Sequence, residues 1–121
     1  MNKNRNLLLL GGGGHACVVA EIARLAGCVP KGLLDDNVRP PASEEPISVP
    51  RLGSLSNDEA LERLKELWWT LSLGGLPYRR KLLDMITDRF PGASERAATV
   101  VHPSAWVSPA SSVGAGVLVG A

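Results

Sequence analysis

The residues best placed to do chemistry stand in one turn, Gly11-Gly12-Gly13-Gly14-His15-Ala16, directly after the leucine run Leu7 to Leu10. Gly11-x-Gly13-x-x-Ala16 has the spacing of the dinucleotide fingerprint, with alanine at its third small position. Glycines without a Cβ let phosphate oxygens approach the backbone, and the helix that follows offers unpaired N–H groups and the positive end of its dipole. The competing reading is a glycine turn that only packs strand against helix. His15, at the mouth of the turn, can donate to a phosphate or a sugar hydroxyl, or simply face solvent. A second candidate, Asp35-Asp36-Asn37, lies at about the distance where an acid meets a ribose. Either carboxylate can accept from ribose or base donors, and both are also ordinary turn residues.

Such a constellation needs a strand, a tight turn and a helix to hold it, and the pattern supplies them. Apolar residues at Val18, Val19, Ile22, Ala23, Leu25 and Ala26 keep helical spacing, and Gly27 is placed to end the helix. Val29 to Leu34 then reads as a second strand, which makes a βαβ unit with parallel strands. Asp35-Asp36 therefore falls at the carboxyl end of a strand, the side where open parallel sheets bind ligands. Further on, Ile47 to Val49 reads as a short edge strand between prolines. Asn57 or Asp58 caps a helix to about Glu66, Trp68 to Leu73 forms a strand, Pro77 to about Phe90 a helix, and Ala98 to Val101 the last strand of this part.

From Val101 the rhythm changes. Valines recur at Val107, Val113 and Val119, six apart, with the small residues Ala105 and Ser111 between them. A hexapeptide period is a sign of a β-helix, and Ala121 falls just inside the fourth unit. A single coil cannot bury its own inner face. The expectation is thus an α/β domain over residues 1–100 followed by the first coil of a β-helix over 101–121, apparently truncated, with disorder or self-association after about Ser108.

Composition removes several alternatives. With 13 Lys+Arg against 12 Asp+Glu and 4% aromatic residues, there is neither a basic footprint nor a stock of stacking rings for nucleic acid. The longest apolar run is far too short to span a bilayer, and a soluble, cytoplasmic chain is expected. Cys17 and Cys28 form no CxxC pair, so neither a disulfide framework nor a metal site is indicated. Glu59, Glu62, Arg63, Lys65 and Glu66 read as a solvated helix face. Trp68, Trp69 and Trp106 read as packing.

Taken together, the motifs resemble a known family. Leu7 to Ala16, Gly32-Leu33-Leu34-Asp35-Asp36, Leu73-Gly74 followed by Arg79-Arg80-Lys81, and Ala98 to Ala105 are similar, in this order, to the bacterial sugar acyltransferases typified by sialic acid O-acetyltransferases. The resemblance covers essentially the whole chain. It implies a small Rossmann-like parallel sheet domain that binds a sugar or nucleotide-sugar acceptor. It further implies a left-handed β-helix that carries the acetyl-CoA groove and a catalytic histidine, and assembly as a homotrimer. By position, it implies that Gly12, Gly13, Gly14 and His15 line the phosphate or sugar end of the acceptor site. Asp35 and Asp36 would meet its nucleoside or sugar hydroxyls, and Gly74 would close the far wall.

Two departures stand out. Many relatives carry a polar pair after the glycine, where this chain has Gly75-Leu76, so a side-chain contact is lost. The family's catalytic histidine lies further along the β-helix than Ala121, so no catalytic residue is expected here. His102 reads as structural, at the junction ahead of Pro103. The resulting expectation is the acceptor-binding part of an acetyl-CoA-dependent sugar acyltransferase, inactive alone. A non-catalytic nucleotide-binding module and an NAD(P)-binding redox domain are the alternatives.

Overall fold

The computed structural model describes residues 5–73, 76–98, 100–101, 103–104 and 118–119. The chain begins with β1 (Asn6–Leu10), whose four leucines are all fully buried. An unbroken apolar run of this kind belongs to a parallel strand covered on both faces. Helix α1 (Gly14–Leu25) and strand β2 (Val29–Leu34) complete the βαβ unit, with β2 parallel to β1. Gly27 does end α1 as its position implies. It takes a left-handed φ of 89°, with Gly27 N–H on the Arg24 carbonyl and Cys28 N–H on that of Ala23. These two bonds satisfy carbonyls that the helix leaves unpaired.

Beyond β2 come β3 (Arg51–Gly53), a four-residue helix α2 (Asp58–Leu61) continued by a 3-10 turn (Glu62–Lys65), β4 (Trp68–Leu71) and α3 (Leu76–Arg89). Asn57 caps α2, its side-chain oxygen accepting from Ala60 N–H at 2.9 Å. The four strands form one parallel sheet in the order β3-β2-β1-β4. Side chains alternate across it. Leu7, Leu9 and Leu33 pack with Val19, Ala20 and Ala23 of α1, whereas Leu8, Leu10 and Leu34 pack with Leu61, Leu64, Leu82 and Ile86.

Two strand assignments change. Ile47 to Val49 is not a strand. Ser48 has a φ of 53° and its N–H bonds the Glu44 carbonyl, while Val49 N–H bonds that of Ala42. The buried Ile47 and Val49 pack below α1, and pairing with β2 starts only at Pro50, whose carbonyl accepts from Leu33 N–H. Proline has no N–H to give the ladder, so the strand falls one step later. Nor do Ala98 to Val101 form one strand of the main sheet. Ala97 makes a single bridge to Trp69, and β5 (Val100–Val101) pairs instead with β6 (Leu118–Val119) in a separate parallel pair. Val100 faces Leu118 and Val101 faces Val119, an offset of 18 residues or three hexads. His102, Trp106 and residues 105–117, which hold most of the expected first coil, lie outside the described residues.

Packing accounts for the other aromatic and charged residues. Trp69 is buried, its indole N–H on the Ala93 carbonyl at 2.8 Å, and the Arg5 guanidinium covers the Trp68 ring at 4.3 Å. Lys65 and Glu62 pair at 2.6 Å in solvent. Burial pushes the Cys28 thiol up, as suits a core residue. No helix among the described residues is long and apolar enough to cross a membrane.

Leu9 has no exposed surface, and its removal leaves a cavity between the sheet and α1. Leu9→Ala is expected to lower the unfolding free energy by about 3 kcal/mol. Urea denaturation measures it, and a loss below about 1 kcal/mol would show that this face is not close-packed.

Candidate functional site at the glycine turn

The sheet order places the site. From β1 the chain winds outward through β2 and β3, then crosses back so that β4 lies on the other side of β1. At this reversal the connections leaving β1 and β4 part, and the carboxyl ends of such strands are where open parallel sheets bind ligands. The glycine turn follows β1 at that end of the sheet.

Its four glycines do different work. Gly11 is held by both neighbours. Its N–H donates to the Leu34 carbonyl at 2.8 Å, and its own carbonyl accepts from the buried Ser72 hydroxyl at 2.7 Å. It takes a φ of 118°, and a Cβ there would lie 2.5 Å from Leu73 Cδ2. Gly12 donates its N–H to Asp35 Oδ2 at 2.8 Å and accepts from Ala42 N–H, and a Cβ would lie 2.8 Å from Pro40. Fold geometry alone therefore requires these two glycines. Gly13 and Gly14 differ, because a Cβ on either would meet nothing within 4 Å. Above them the backbone is open. Gly13 is the N-cap of α1 and gives no side-chain cap, and the first turn carries no acid. The N–H groups of Gly14, His15 and Ala16 consequently have no intrahelical partner and point out of the helix start. His15 is exposed.

The two aspartates also separate. Asp35 accepts Gly12 N–H on one oxygen and Asn37 N–H on the other, both at 2.8 Å, and its backbone carbonyl accepts from Arg51 Nε at 2.9 Å. It brackets the turn to the end of β2, as its turn reading implied, and its carboxylate retains unused lone pairs. Asp36 is exposed and accepts from the hydroxyls of Ser54 and Ser56. The Ser54 hydroxyl, above all, holds its carboxyl below the usual range, with backbone and hydroxyl donors of Ser56 adding to it. Tyr78 stands in the first turn of α3. Burial, then the charges of Asp36 and Asp35, push its phenol up.

Gly12, Gly13, Gly14, His15, Asp35 and Asp36 are thus gathered at the carboxyl ends of β1 and β2, while Gly74 lies outside the described residues. Sequence reading missed Ser72, Ser54, Ser56 and Tyr78. Only Tyr78 carried a signal, as the single tyrosine of the chain next to the Arg79-Arg80-Lys81 segment. Two cavities lie elsewhere. One of about 340 Å³ lies on the outer side of β4, against Trp69, Leu71, Arg79 and Leu83, and a shallower one beside Leu52 and Ala60. Among the described residues, no group of His, Cys, Asp and Glu could hold a metal ion.

Comparison with known proteins adds a lineage to this geometry. A model of the PglD N-terminal domain matches residues 6–86. The chain is similar to a mutant of perosamine N-acetyltransferase from Caulobacter crescentus, solved with CoA and GDP-perosamine. That match has 29% identity and a TM-score of 0.71 over 94% of this chain and 50% of the other. PerB from the same organism, also with CoA and GDP-perosamine, is 30% identical with a TM-score of 0.66 over 94% and 50%. The acetyltransferase domain of PglB from Neisseria gonorrhoeae, in complex with acetyl coenzyme A, is 27% identical with a TM-score of 0.71 over 95% and 52%. The chain spans about half the length of these solved structures. No curated protein sequence gives a significant match.

The glycines give a graded expectation. Gly11→Ala forces a left-handed residue against Leu73 and is expected to cost about 2–4 kcal/mol, whereas Gly13→Ala and Gly14→Ala change stability by less than about 1 kcal/mol. Chemical denaturation of the three variants checks this, and equal losses at all three would contradict it. Asp36 supplies a pH signature. Its lowered pKa means that its stabilisation is complete above about pH 4 and is lost as pH falls through the folded-state value. Asp36→Asn should therefore cost at most about 1 kcal/mol at pH 7, because the group is exposed, with the difference from wild type closing towards pH 2. A difference that widened at low pH would reverse the sign of this linkage.

Proposed function

The chain belongs to the PglD N-terminal domain family, and from that premise we propose that it is the acceptor-binding domain of an acetyl-CoA-dependent sugar acyltransferase. In this reading the phosphates of a nucleotide sugar sit on Gly13, Gly14 and His15, at the start of α1. The observation that carries it is the open space above Gly13 and Gly14, two glycines the fold does not need, at a helix start with no capping side chain. Unpaired N–H groups and the helix dipole favour an anion there. Asp35 keeps the turn in register by holding Gly12, and Asp36 with Ser54 and Ser56 offers acceptors and donors to the nucleoside or sugar hydroxyls. Gly74 is proposed for the far wall. GDP-perosamine in two of the similar structures supports a nucleotide sugar as the acceptor.

Acyl transfer needs an acceptor oxygen or nitrogen to lose a proton as it attacks the thioester, the work of a general base. None of the described residues is assigned that role. This domain binds and orients the acceptor, and the base and the acetyl-CoA groove belong to the β-helix of the whole enzyme. The parallel pairing of β5 and β6 three hexads apart supports a β-helix as the next element. A homotrimer acting in the cytoplasm completes the proposal.

Calorimetry tests it. The chain is expected to bind GDP- or UDP-sugars and to ignore NADH. Gly14→Asp places a carboxylate at the helix start, where the dipole tolerates it, and should weaken nucleotide-sugar binding at least tenfold with stability maintained. Unchanged affinity in that variant, or preferential binding of NADH, would overturn the assignment.

A further inference from the structure

Large aromatic rings are scarce in this chain and their positions are telling. Trp69 and Phe90 are buried, Trp68 is half-buried beneath Arg5, and among the described residues Tyr78 is the aromatic ring that faces solvent, at 47% exposure. It does so at one particular place. Ser72 and Leu73, at the end of β4, are fastened to Gly11 through the Ser72 hydroxyl and the Leu73 side chain, and α3 begins three residues later. The first turn of α3 therefore begins close to Gly11, at the same end of the sheet as the start of α1. Tyr78 occupies that turn, near enough to the acids at the end of β2 for Asp36 and Asp35 to act on its phenol.

We infer that Tyr78 is the platform on which the base of the bound nucleotide stacks, and so the side chain that favours nucleotide-linked sugars over free sugars or sugar phosphates. The inference rests on the nucleotide-sugar reading and adds to it the group that recognises the base. A base requires an exposed ring to stack on and polar groups at the same end of the site, and Tyr78 offers the first while Asp36, with Ser54 and Ser56 on its carboxylate, offers the second. The face of the base stacks, and its edge finds acceptors and donors in Asp36, Ser54 and Ser56. Partial burial, and then the charges of Asp36 and Asp35, push the phenol further above its already high ordinary value, so the ring is uncharged at neutral pH.

The test uses GDP and inorganic pyrophosphate on the same chain. As the single tyrosine, Tyr78 gives one set of ring proton resonances. GDP is expected to move them upfield through the ring current of guanine, and pyrophosphate to leave them in place while shifting the amides of Gly14 and His15. By calorimetry, Tyr78→Ala should raise the Kd for GDP about tenfold, with Tyr78→Phe close to wild type. Because the residue is exposed, both variants should keep the wild-type melting temperature. Tyrosine lines that stay fixed while the Gly14 and His15 amides respond to GDP would overturn the platform and leave the phosphate site standing. An equal Kd for Tyr78→Ala and wild type would do the same. Amides that ignore both ligands would overturn the nucleotide reading and the platform with it.

Discussion

Everything in the site depends on how Gly11 and Gly12 are tied down. Four hydrogen bonds do this: Gly11 N–H to Leu34, Ser72 Oγ to the Gly11 carbonyl, Gly12 N–H to Asp35, and Ala42 N–H to the Gly12 carbonyl. They use up the polar groups of the first half of the turn and join it to β2, to the end of β4 and to the loop before β3. Buried backbone groups must be paired, and here the pairing also fixes direction. With Gly11 and Gly12 immobilised, the second half of the turn is presented at the carboxyl end of the sheet with its N–H groups at the open start of α1. A turn held this rigidly saves the ordering cost that a flexible loop would meet on binding a ligand.

The division of labour between the aspartates follows from the same bonds. Asp35 is half-buried and satisfied by backbone donors, so its main work is structural. Asp36, one residue further on in the bend after β2, meets Ser54 and Ser56 from the β3 end of the sheet. Adjacent residues of the same type thus serve different ends, because one is held by backbone donors of the turn and the other by hydroxyls beyond β3.

Much of this was legible in the sequence. The leucine run, the glycines, the helical spacing after them and the second apolar run gave β1, α1 and β2 at the expected places, and Gly27 ended the helix with the hydrogen bonds its position suggested. These signals are local, with each residue's conformation decided by near neighbours. The misreadings came where distant contacts decide. Ile47 and Val49 have strand-like side chains, yet their backbone turns on itself, and Pro50 hands the pairing to Arg51. Val100 and Val101 look like a further strand of the main sheet, but their partners lie 18 residues on. Tyr78 escaped notice because its significance comes from β4 lying beside β1, which no local pattern announces. Nor did the glycine run itself show that Gly11 and Gly12 serve packing while Gly13 and Gly14 do not.

The proposed acceptor site rests on one stretch of backbone, the start of α1. A crystal structure of the chain grown with a GDP-sugar examines that stretch directly. The diphosphate should be found with its oxygens within hydrogen-bond distance of the Gly14 and His15 N–H groups, above the glycines that meet no neighbour. A diphosphate bound elsewhere on the chain, with that helix start left to solvent, would contradict the central claim.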